Sequence, residues 1–290
     1  MVPFHDRDGW IWLNGEMVPN REAKIHLLTH GLHYASSVFE GERAYNGVIF
    51  KSAEHTQRLF RSARLLGMEI PCSFEAIEQA KKDVMARMGF ESCYLRPIVW
   101  RGSEQLSVAP GATTVQVAVA AWEWGAYFAD RMAGIRMTHA QWRRPSPDTA
   151  PCAAKAAGLY MIATLSKQQA EAAGYADALM LDWRGQVAEA TGANIFFVRD
   201  GALHTPAPES FLNGITRQTI IGFAKARGIP VLERAIWPHE LDSFSECFIT
   251  GTAAELTPVA EIGAVRYKPG ALTETLLADF TAATSGARPA

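Results

Sequence analysis

The chain reads as a mixed α/β (α+β) protein of two domains, and three observations predict it. Its 290 residues are about twice the roughly 150 that one domain usually takes. Strand-like and helix-like periods are interleaved without a strict strand-helix-strand alternation. A proline-rich polar stretch, Trp142-Arg143-Arg144-Pro145-Ser146-Pro147-Asp148, interrupts the pattern near the middle. We therefore expect a small α/β domain over 1–125, a linker over 126–140 and a larger domain over 141–290. With 48% apolar residues, a chain of this size buries about three-quarters of its unfolded surface. Both domains can hold real cores.

In the first domain, Trp10 to Leu13, an Asn14-Gly15 turn and Met17-Val18 spell a β-hairpin. A second hairpin signal follows: Val38-Phe39 and Tyr45 flank Gly41, and Asn46-Gly47 turns into Val48-Ile49-Phe50. Ser52 is placed to cap a helix running from Ala53 to Gly67, where Leu59, Ala63 and Leu66 share a face with Arg58 beside them. Another amphipathic helix spans Phe74 to Met88 and ends at Gly89, and strands are expected over 92–100 and 113–122. In the second domain a helix over 156–173 stops at Gly174. Ala178 to Leu181 and Ile195 to Val198 read as buried strands, with Asp200-Gly201 as a hairpin turn. Leu212-Asn213-Gly214 precedes a helix over 215–227, and Cys247 to Ile249 is a short strand leading into Thr250-Gly251-Thr252.

Twenty-eight basic residues against 30 acidic ones give a net charge of -2, so no global field draws in nucleic acid or an anionic membrane. No run reaches the roughly 18 apolar residues of a membrane span, and the N-terminus lacks the basic and apolar regions of a signal peptide. A cytoplasmic protein acting on small molecules is expected. The four cysteines are far apart and form no Cys-x-x-Cys pair, which argues against a disulfide framework or a cysteine zinc site. His26, His30 and His33 have helical ligand spacing, but Gly31 should break a helix there and no nearby carboxylate completes a ligand set, so no metal site is expected. Gly-x-Ser-x-Gly, Gly-x-Gly-x-x-Gly and Walker sequences are all absent.

What remains is lysine chemistry. Of the eight lysines, seven stand in polar or turn contexts that read as exposed. Lys155 lies instead in Ala153-Ala154-Lys155-Ala156-Ala157-Gly158, where small neighbours admit another molecule and desolvation lowers an amine pKa. Such a lysine suits Schiff-base formation with a carbonyl, although a helix-start lysine reaching to solvent has the same spacing. A Schiff-base lysine often serves pyridoxal phosphate, whose phosphate needs an anchor. Leu212 to Thr216 before a helix offers the N–H groups of Ile215 and Thr216 to an anion, and Thr250-Gly251-Thr252 offers two hydroxyls. Each could equally be an ordinary helix start or turn. Glu189, flanked by alanines between two apolar strands, is placed to keep a pyridine nitrogen protonated or to be a loop glutamate.

Taken together, His30 to Gly41, His55 to Leu59 with Arg58, Tyr94-Leu95-Arg96-Pro97, Ala154 to Tyr160, Glu189 to Phe196, Leu212 to Arg217 and Thr250 to Glu255 resemble the class IV aminotransferases of the fold-type IV pyridoxal phosphate enzymes, and among them the branched-chain amino acid aminotransferases. The resemblance spans nearly the whole chain. It implies a small α/β domain and a larger pseudo-barrel domain, pyridoxal 5'-phosphate held between them, and a homodimer or higher homo-oligomer. It also implies transamination between L-branched-chain amino acids and 2-oxoglutarate. Related activities are a D-amino acid or (R)-amine transaminase or an aminodeoxychorismate lyase, and a non-catalytic pyridoxal phosphate-binding protein is the alternative of another class.

Carried over residue by residue, the resemblance makes Lys155 the covalent anchor and proton carrier, sets Glu189 at the pyridine nitrogen and Tyr160 at the ring hydroxyl, and gives the phosphate to Arg58, Leu212, Ile215, Thr216 and Thr252. It places Tyr34, Phe39, Tyr94, Arg96, Trp124, Tyr127, Thr252 and Ala253 around the substrate, with Tyr34 lent by a neighbouring subunit. Four positions depart from the pattern: Ala35 and Asn213 stand where glycine and proline are common, Thr250 where serine is, and Ala193 where glutamate is frequent.

Overall fold

Every buried backbone amide must find a partner, and in the first unit of this protein a seven-stranded antiparallel sheet supplies most of them. The computed structural model describes residues 2–124 and 132–285, which divide into two units. The first holds the described residues up to 124 together with 154–159, and the second holds the remainder.

In the first unit, β1 (Trp10–Leu13) and β2 (Glu16–Pro19) form the expected hairpin, followed by β3 (Ser37–Phe39), β4 (Glu42–Tyr45), β5 (Val48–Ile49), β6 (Cys93–Arg101) and β7 (Val115–Trp122). The sheet order is β2-β1-β7-β6-β4-β5, with β3 also paired to β6. Pro97 stands in the middle of β6, away from any sheet edge. On one flank β6 pairs with β7 throughout, while on the other it pairs first with β4 and then with β3. The N and C=O of one residue in an antiparallel strand point to the same flank. Since Pro97 O accepts from Glu40 N at 2.8 Å, the missing N–H of Pro97 falls at the break between β3 and β4.

Three helices complete this unit: α1 (His30–Tyr34), α2 (Ser52–Leu65) and α3 (Phe74–Met88). Helix α3 starts and stops as its sequence dictates, with Ser73 Oγ accepting from Ala76 N and Gly89 in the left-handed conformation at φ 69°. Two local expectations need correcting. Gly31 does not prevent a helix: α1 is one short turn through it, because a Cβ at Gly31 would come within 3.1 Å of Trp100 and glycine is there for close packing. Ser52 is not a cap: α2 begins after Lys51 at φ 57°, and the Ser52 hydroxyl donates to Glu78 at 2.8 Å.

That diversion belongs to a buried cluster around Lys81, a lysine the sequence places among the exposed ones. Lys81 is wholly buried on α3, where it donates to Glu42 at 2.9 Å, Glu78 at 2.8 Å and Thr56 at 2.6 Å. One ammonium cannot neutralise two carboxylates. Burial pushes Glu42 up to about 8 against the pull of Lys81, whereas at Glu78 Lys81 and its hydroxyl neighbours outweigh burial and hold the carboxyl below its ordinary value. Near neutrality these shifts favour a protonated Glu42 and an ionised Glu78.

The second unit is a nine-stranded mixed sheet of β8 (Ile135–His139), β9 (Asp177–Leu181), β10 (Val187–Ala190), β11 (Asn194–Arg199), β12 (Ala202–Thr205), β13 (Val231–Glu233), β14 (Glu246–Gly251), β15 (Glu255–Ile262) and β16 (Val265–Arg266), with helices α4 (Met161–Ala172), α5 (Ile215–Ala226) and α6 (Ala271–Ser285). Its order is β10-β9-β8-β15-β14-β11-β12-β13, and β16 pairs with β15. Strand β8 runs parallel to β9 and β15. It occupies 135–139 of the stretch expected as a linker, because Ile135 and Met137 alternate onto the core beside Leu179, Ile195, Phe197, Ile249 and Val259. Residues 126–131 of that stretch lie outside the described residues. The helix expected from 156 begins only at Met161, after a 3₁₀ turn over Ala157–Tyr160.

Removing the Lys81 charge takes the cation from the half-buried Glu78 carboxylate and a hydrogen-bond donor from buried Glu42, so Lys81→Met should destabilise the protein by about 3–5 kcal/mol at pH 7, read as a shift in the urea midpoint. Because the folded Glu42 pKa lies above its unfolded value of about 4.3, its contribution is fully present below that value and is lost as pH rises through about 8. Glu42→Gln should therefore flatten the fall in stability between pH 5 and 9, and an unchanged slope would show that Glu42 does not titrate there.

Candidate active site

Lys155 is held by its backbone before its side chain does anything. Its N–H donates to Ser62 Oγ on α2 at 3.0 Å, and its C=O accepts from Phe39 N at the end of β3 at 3.1 Å. The neighbours Ala154 and Ala156 are buried and Ala156 bridges to Val38, so the small residues let this segment lie against β3. Lys155 Nζ is then 5.0 Å from the centre of the Phe39 ring. Ser62 escapes a reading of motifs. Its only signal is spacing, for His55, Arg58 and Ser62 fall at i, i+3 and i+7 on one helix face, and all three are buried.

Opposite Pro97, three consecutive residues take three tasks. Phe39 lies under the Arg96 guanidinium, 4.6 Å from ring centre to Cζ. Glu40 turns inward to Arg58. Gly41 leaves room for Tyr94, since a Cβ there would fall 1.9 Å from the Tyr94 hydroxyl oxygen. Around Arg96 the rings of Tyr94 and Trp122 lie at 5.4 and 5.8 Å, and its Nη2 donates to the Tyr94 hydroxyl at 3.4 Å. Tyr94 also stacks on Trp122 at 5.0 Å and meets Trp124 at 5.1 Å. Trp122 is the wall that sequence reading misses. It pairs directly across from Tyr94 between β6 and β7, so only the register identifies it. No carboxylate pairs with Arg96 among the described residues, and its buried Nε has no hydrogen-bond partner there. The result is a cation in an aromatic box.

Arg58 is bound edge-on by a buried carboxylate: Nε donates to Glu40 Oε1 at 2.7 Å and Nη2 to Oε2 at 2.8 Å. His55 Nδ1 lies 2.7 Å from Oε2, and Gly41 N donates to the same oxygen at 3.3 Å. Burial by itself would raise the Glu40 pKa, but the Arg58 charge and fork, with His55, hold it well below the usual carboxylate range. Burial lowers His55 more than Glu40 raises it, so His55 is a neutral donor to an ionised acceptor.

In the second unit Glu189 lies on β10, buried rather than in a solvated loop. Arg144 Nε is 3.3 Å from Glu189 Oε1, and Asn194 Nδ2 donates to Oε2 at 3.2 Å. Asn194 also donates to Leu212 O at 3.0 Å and accepts from Gly214 N at 3.1 Å. One amide therefore ties the Glu189 carboxylate to the turn that starts α5. Gly214 is forced by this approach, because a Cβ would come 2.2 Å from Asn194 Oδ1. The departure at Asn213 has a structural use: its Oδ1 accepts from the buried Arg217 at 2.9 Å. Ile215 and Thr216 form the first turn of α5, which has neither a side-chain cap nor an acidic residue. Arg144 and Asn194 are further site residues that the sequence does not reveal, since nothing in their local pattern shows which carboxylate they meet.

Thr252 and Ala253 follow β14, and the buried Thr250 hydroxyl at its end has no hydrogen-bond partner among the described residues. Tyr160, Lys167, Thr191, Gly192 and Ala253 line a cavity of about 480 Å³ in this unit. Tyr34 stands apart. It is 44% exposed and its ring contacts are with His30 and His33 of its own short helix. Tyr127 lies outside the described residues.

The first unit supplies a half-buried lysine with its backbone pinned and a boxed cation, and the second a buried carboxylate beside an arginine. These are the groups that carbonyl and amine chemistry needs, and residues 37–262 match the Amino-transferase class IV family. The chain belongs to that family. It is 42% identical over 282 residues to the branched-chain-amino-acid aminotransferase of Pseudomonas aeruginosa, covering 93% of this chain and 91% of that one. Among solved structures it is similar to the branched-chain aminotransferase of Thermoproteus uzoniensis with norvaline, at a TM-score of 0.93 and 36% identity over 97% of this chain and 96% of that one. The branched-chain amino acid aminotransferase of Thermobaculum terrenum in its PLP-form gives a TM-score of 0.88 and 29% identity over 97% of this chain and 95% of that one.

Because Arg144 pairs with Glu189 in a buried setting, Arg144→Met should cost about 3–5 kcal/mol, and Glu189→Gln in the same chain should restore most of it. Urea unfolding of the two single variants and the double variant measures the coupling, and additive losses would mean that the two residues act separately.

Proposed function

We propose that this chain is a pyridoxal 5'-phosphate-dependent aminotransferase that moves an amino group between the L-branched-chain amino acids leucine, isoleucine and valine and 2-oxoglutarate, giving branched 2-oxo acids and glutamate. The observation that carries the reading is Arg96. A branched aliphatic side chain gains from burial against Phe39, Tyr94, Trp122 and Trp124 and needs no hydrogen bond. A glutamate side chain cannot enter such a pocket unless a cation meets its carboxylate, and the Arg96 guanidinium is there with no carboxylate of its own among the described residues. One box can serve both substrates because the guanidinium either receives a carboxylate or rests on the rings.

The residues fit the cofactor. Helix α5 presents an uncapped N-terminus with no acid in its first turn, which favours an external anion. The chemistry that bound pyridoxal phosphate supplies is an electron-withdrawing ring that stabilises negative charge at the substrate's α-carbon. Lys155 would anchor it covalently through Nζ and take up and return the α-proton at that nitrogen. Glu189, paired with Arg144 and oriented by Asn194, would face the ring nitrogen, and Tyr160 the ring hydroxyl. Arg58, the N–H groups of Ile215 and Thr216, the Thr252 hydroxyl and the Leu212 turn would hold the phosphate. Tyr94, Ala253, Thr252 and Tyr127 would complete the substrate's surroundings.

Tyr34 would reach the substrate from a second copy of the chain. Leu27, Leu32 and Val108 are 72%, 60% and 81% exposed, and the segments that carry them are joined by a 2.9 Å contact from His30 Nε2 to Ser107 O. This apolar surface beside Tyr34 supports a homodimer. The cytoplasm is the proposed setting, in keeping with four separated cysteines that are all thiols. No helix among the described residues is long and apolar enough to cross a membrane.

Lys155→Ala should abolish turnover, and borohydride should trap the cofactor of the wild type on the peptide containing residue 155. A label on any other lysine would overturn the assignment. Arg96→Met should slow the half-reaction with glutamate far more than that with leucine, by about 1.5–3 kcal/mol, the value of a hydrogen bond to a charged group. Stopped-flow rates for both amino acids decide this, and equal losses would assign Arg96 to the shared α-carboxylate. A panel of L- and D-amino acids and (R)- and (S)-amines with 2-oxoglutarate and pyruvate tests the substrate class directly.

A further inference from the structure

Arg58 is the charged side chain in the proposed phosphate set, and the group that governs it is a residue outside both the cofactor set and the substrate set. We propose that Glu40 is a positioning residue for cofactor phosphate: it clamps one edge of the Arg58 guanidinium and, with His55 behind it, fixes the direction in which the other edge meets the phosphate. This rests on the reading of the site as a pyridoxal phosphate site.

The geometry leaves Arg58 little freedom. A guanidinium is planar, and two parallel N–H bonds to one carboxylate at 2.7 and 2.8 Å fix both its plane and its rotation within that plane. The clamp itself cannot turn. Glu40 is fully buried, its backbone N–H is bound to Pro97 O at 2.8 Å, and its Oε2 takes further bonds from His55 at 2.7 Å and Gly41 N at 3.3 Å. Arg58 and His55 lie on the same face of α2 as Ser62, which holds the Lys155 backbone. The helix that aims the phosphate ligand is thus the one that seats the lysine. An arginine with no clamp would carry the same charge but sample several rotamers, and ordering them on binding would weaken the grip on phosphate.

The alternative is that Glu40 only stabilises the fold by neutralising a buried arginine. The two roles separate in binding measurements with pyridoxal phosphate and with pyridoxal, which has the same ring and aldehyde and no phosphate. Wild-type protein freed of cofactor should bind pyridoxal phosphate more tightly than pyridoxal. Glu40→Gln, matched in shape, should lose about 10- to 100-fold in affinity for pyridoxal phosphate, the range found when a group that orients a ligand is removed, and should leave pyridoxal affinity within about threefold. In an Arg58→Gln background the same change should have no further phosphate-specific effect.

Equal losses for the two ligands would overturn the proposal and make Glu40 structural. So would an unchanged preference for the phosphate in Glu40→Gln. Should Glu40→Gln fail to fold, His55→Gln provides the same comparison, because it loosens the clamp while the Glu40–Arg58 pair remains. It should show a smaller loss confined to pyridoxal phosphate, and loss for both ligands would overturn the proposal. A wild type that binds neither ligand would overturn the cofactor reading itself, and the role of Glu40 with it.

Discussion

Pro97 stands in a strand paired on both sides, and a residue without an N–H in that position obliges the sheet to give way on one flank. The flank that gives way is the one opposite Glu40, where β3 ends and β4 has not begun. Three consecutive side chains beside it take different partners. Phe39 goes under the cations, Glu40 into the buried fork of Arg58, and Gly41 beneath the Tyr94 hydroxyl. β3 and β4 keep one register against β6 across this place, so the strand alternation persists: Phe39 and Gly41 share the face of Tyr94 and Arg96, while Glu40 keeps its bond to Pro97 O and turns to the opposite face and Arg58.

Both units solve the same electrostatic problem in similar ways. A buried carboxylate is costly unless a cation and further donors satisfy it, and each one discussed here is met so. Glu40 has Arg58, His55 and an amide; Glu189 has Arg144 and Asn194; Glu42 and Glu78 share Lys81. The outcomes differ because the balance against burial differs. At Glu42 burial outweighs the pull of Lys81 and pushes the carboxyl up to about 8, while at Glu40 the Arg58 charge and fork, with His55, outweigh burial and hold it well below the usual range. Arg96 is the counter-case. It is a cation stacked on rings with no acid to meet it among the described residues, which is why the substrate reading rests on it.

Most of the elements are legible in the sequence, and for identifiable reasons. The Asn14-Gly15 hairpin, the Ser73 and Gly89 ends of α3 and the helix after Gly214 are set by residues within a few positions of each other. Where a long-range partner competes, local reading fails. Ser52 looks like a cap and is drawn to Glu78, Lys81 looks exposed and is buried among acids, and residues 135–139 look like linker and form a strand between two parallel neighbours.

The sequence by itself determined the chemistry available: a lysine among alanines, an arginine on an apolar helix face, a tyrosine and an arginine two apart on a strand, and a glycine turn before a helix. These are local, because side-chain type and short spacing carry them. Only the tertiary structure decided what each group meets. Trp122 is opposite Tyr94 by register, Ser62 holds the Lys155 backbone across 93 positions of sequence, and Asn194 links Glu189 to Gly214. Glu40 is the sharpest instance. It reads as an ordinary acid in a strand, and it becomes the clamp of Arg58 because the strand alternation turns it to the face where α2 presents Arg58 and His55. Orientation and desolvation arise from packing between distant segments, and no local pattern encodes them.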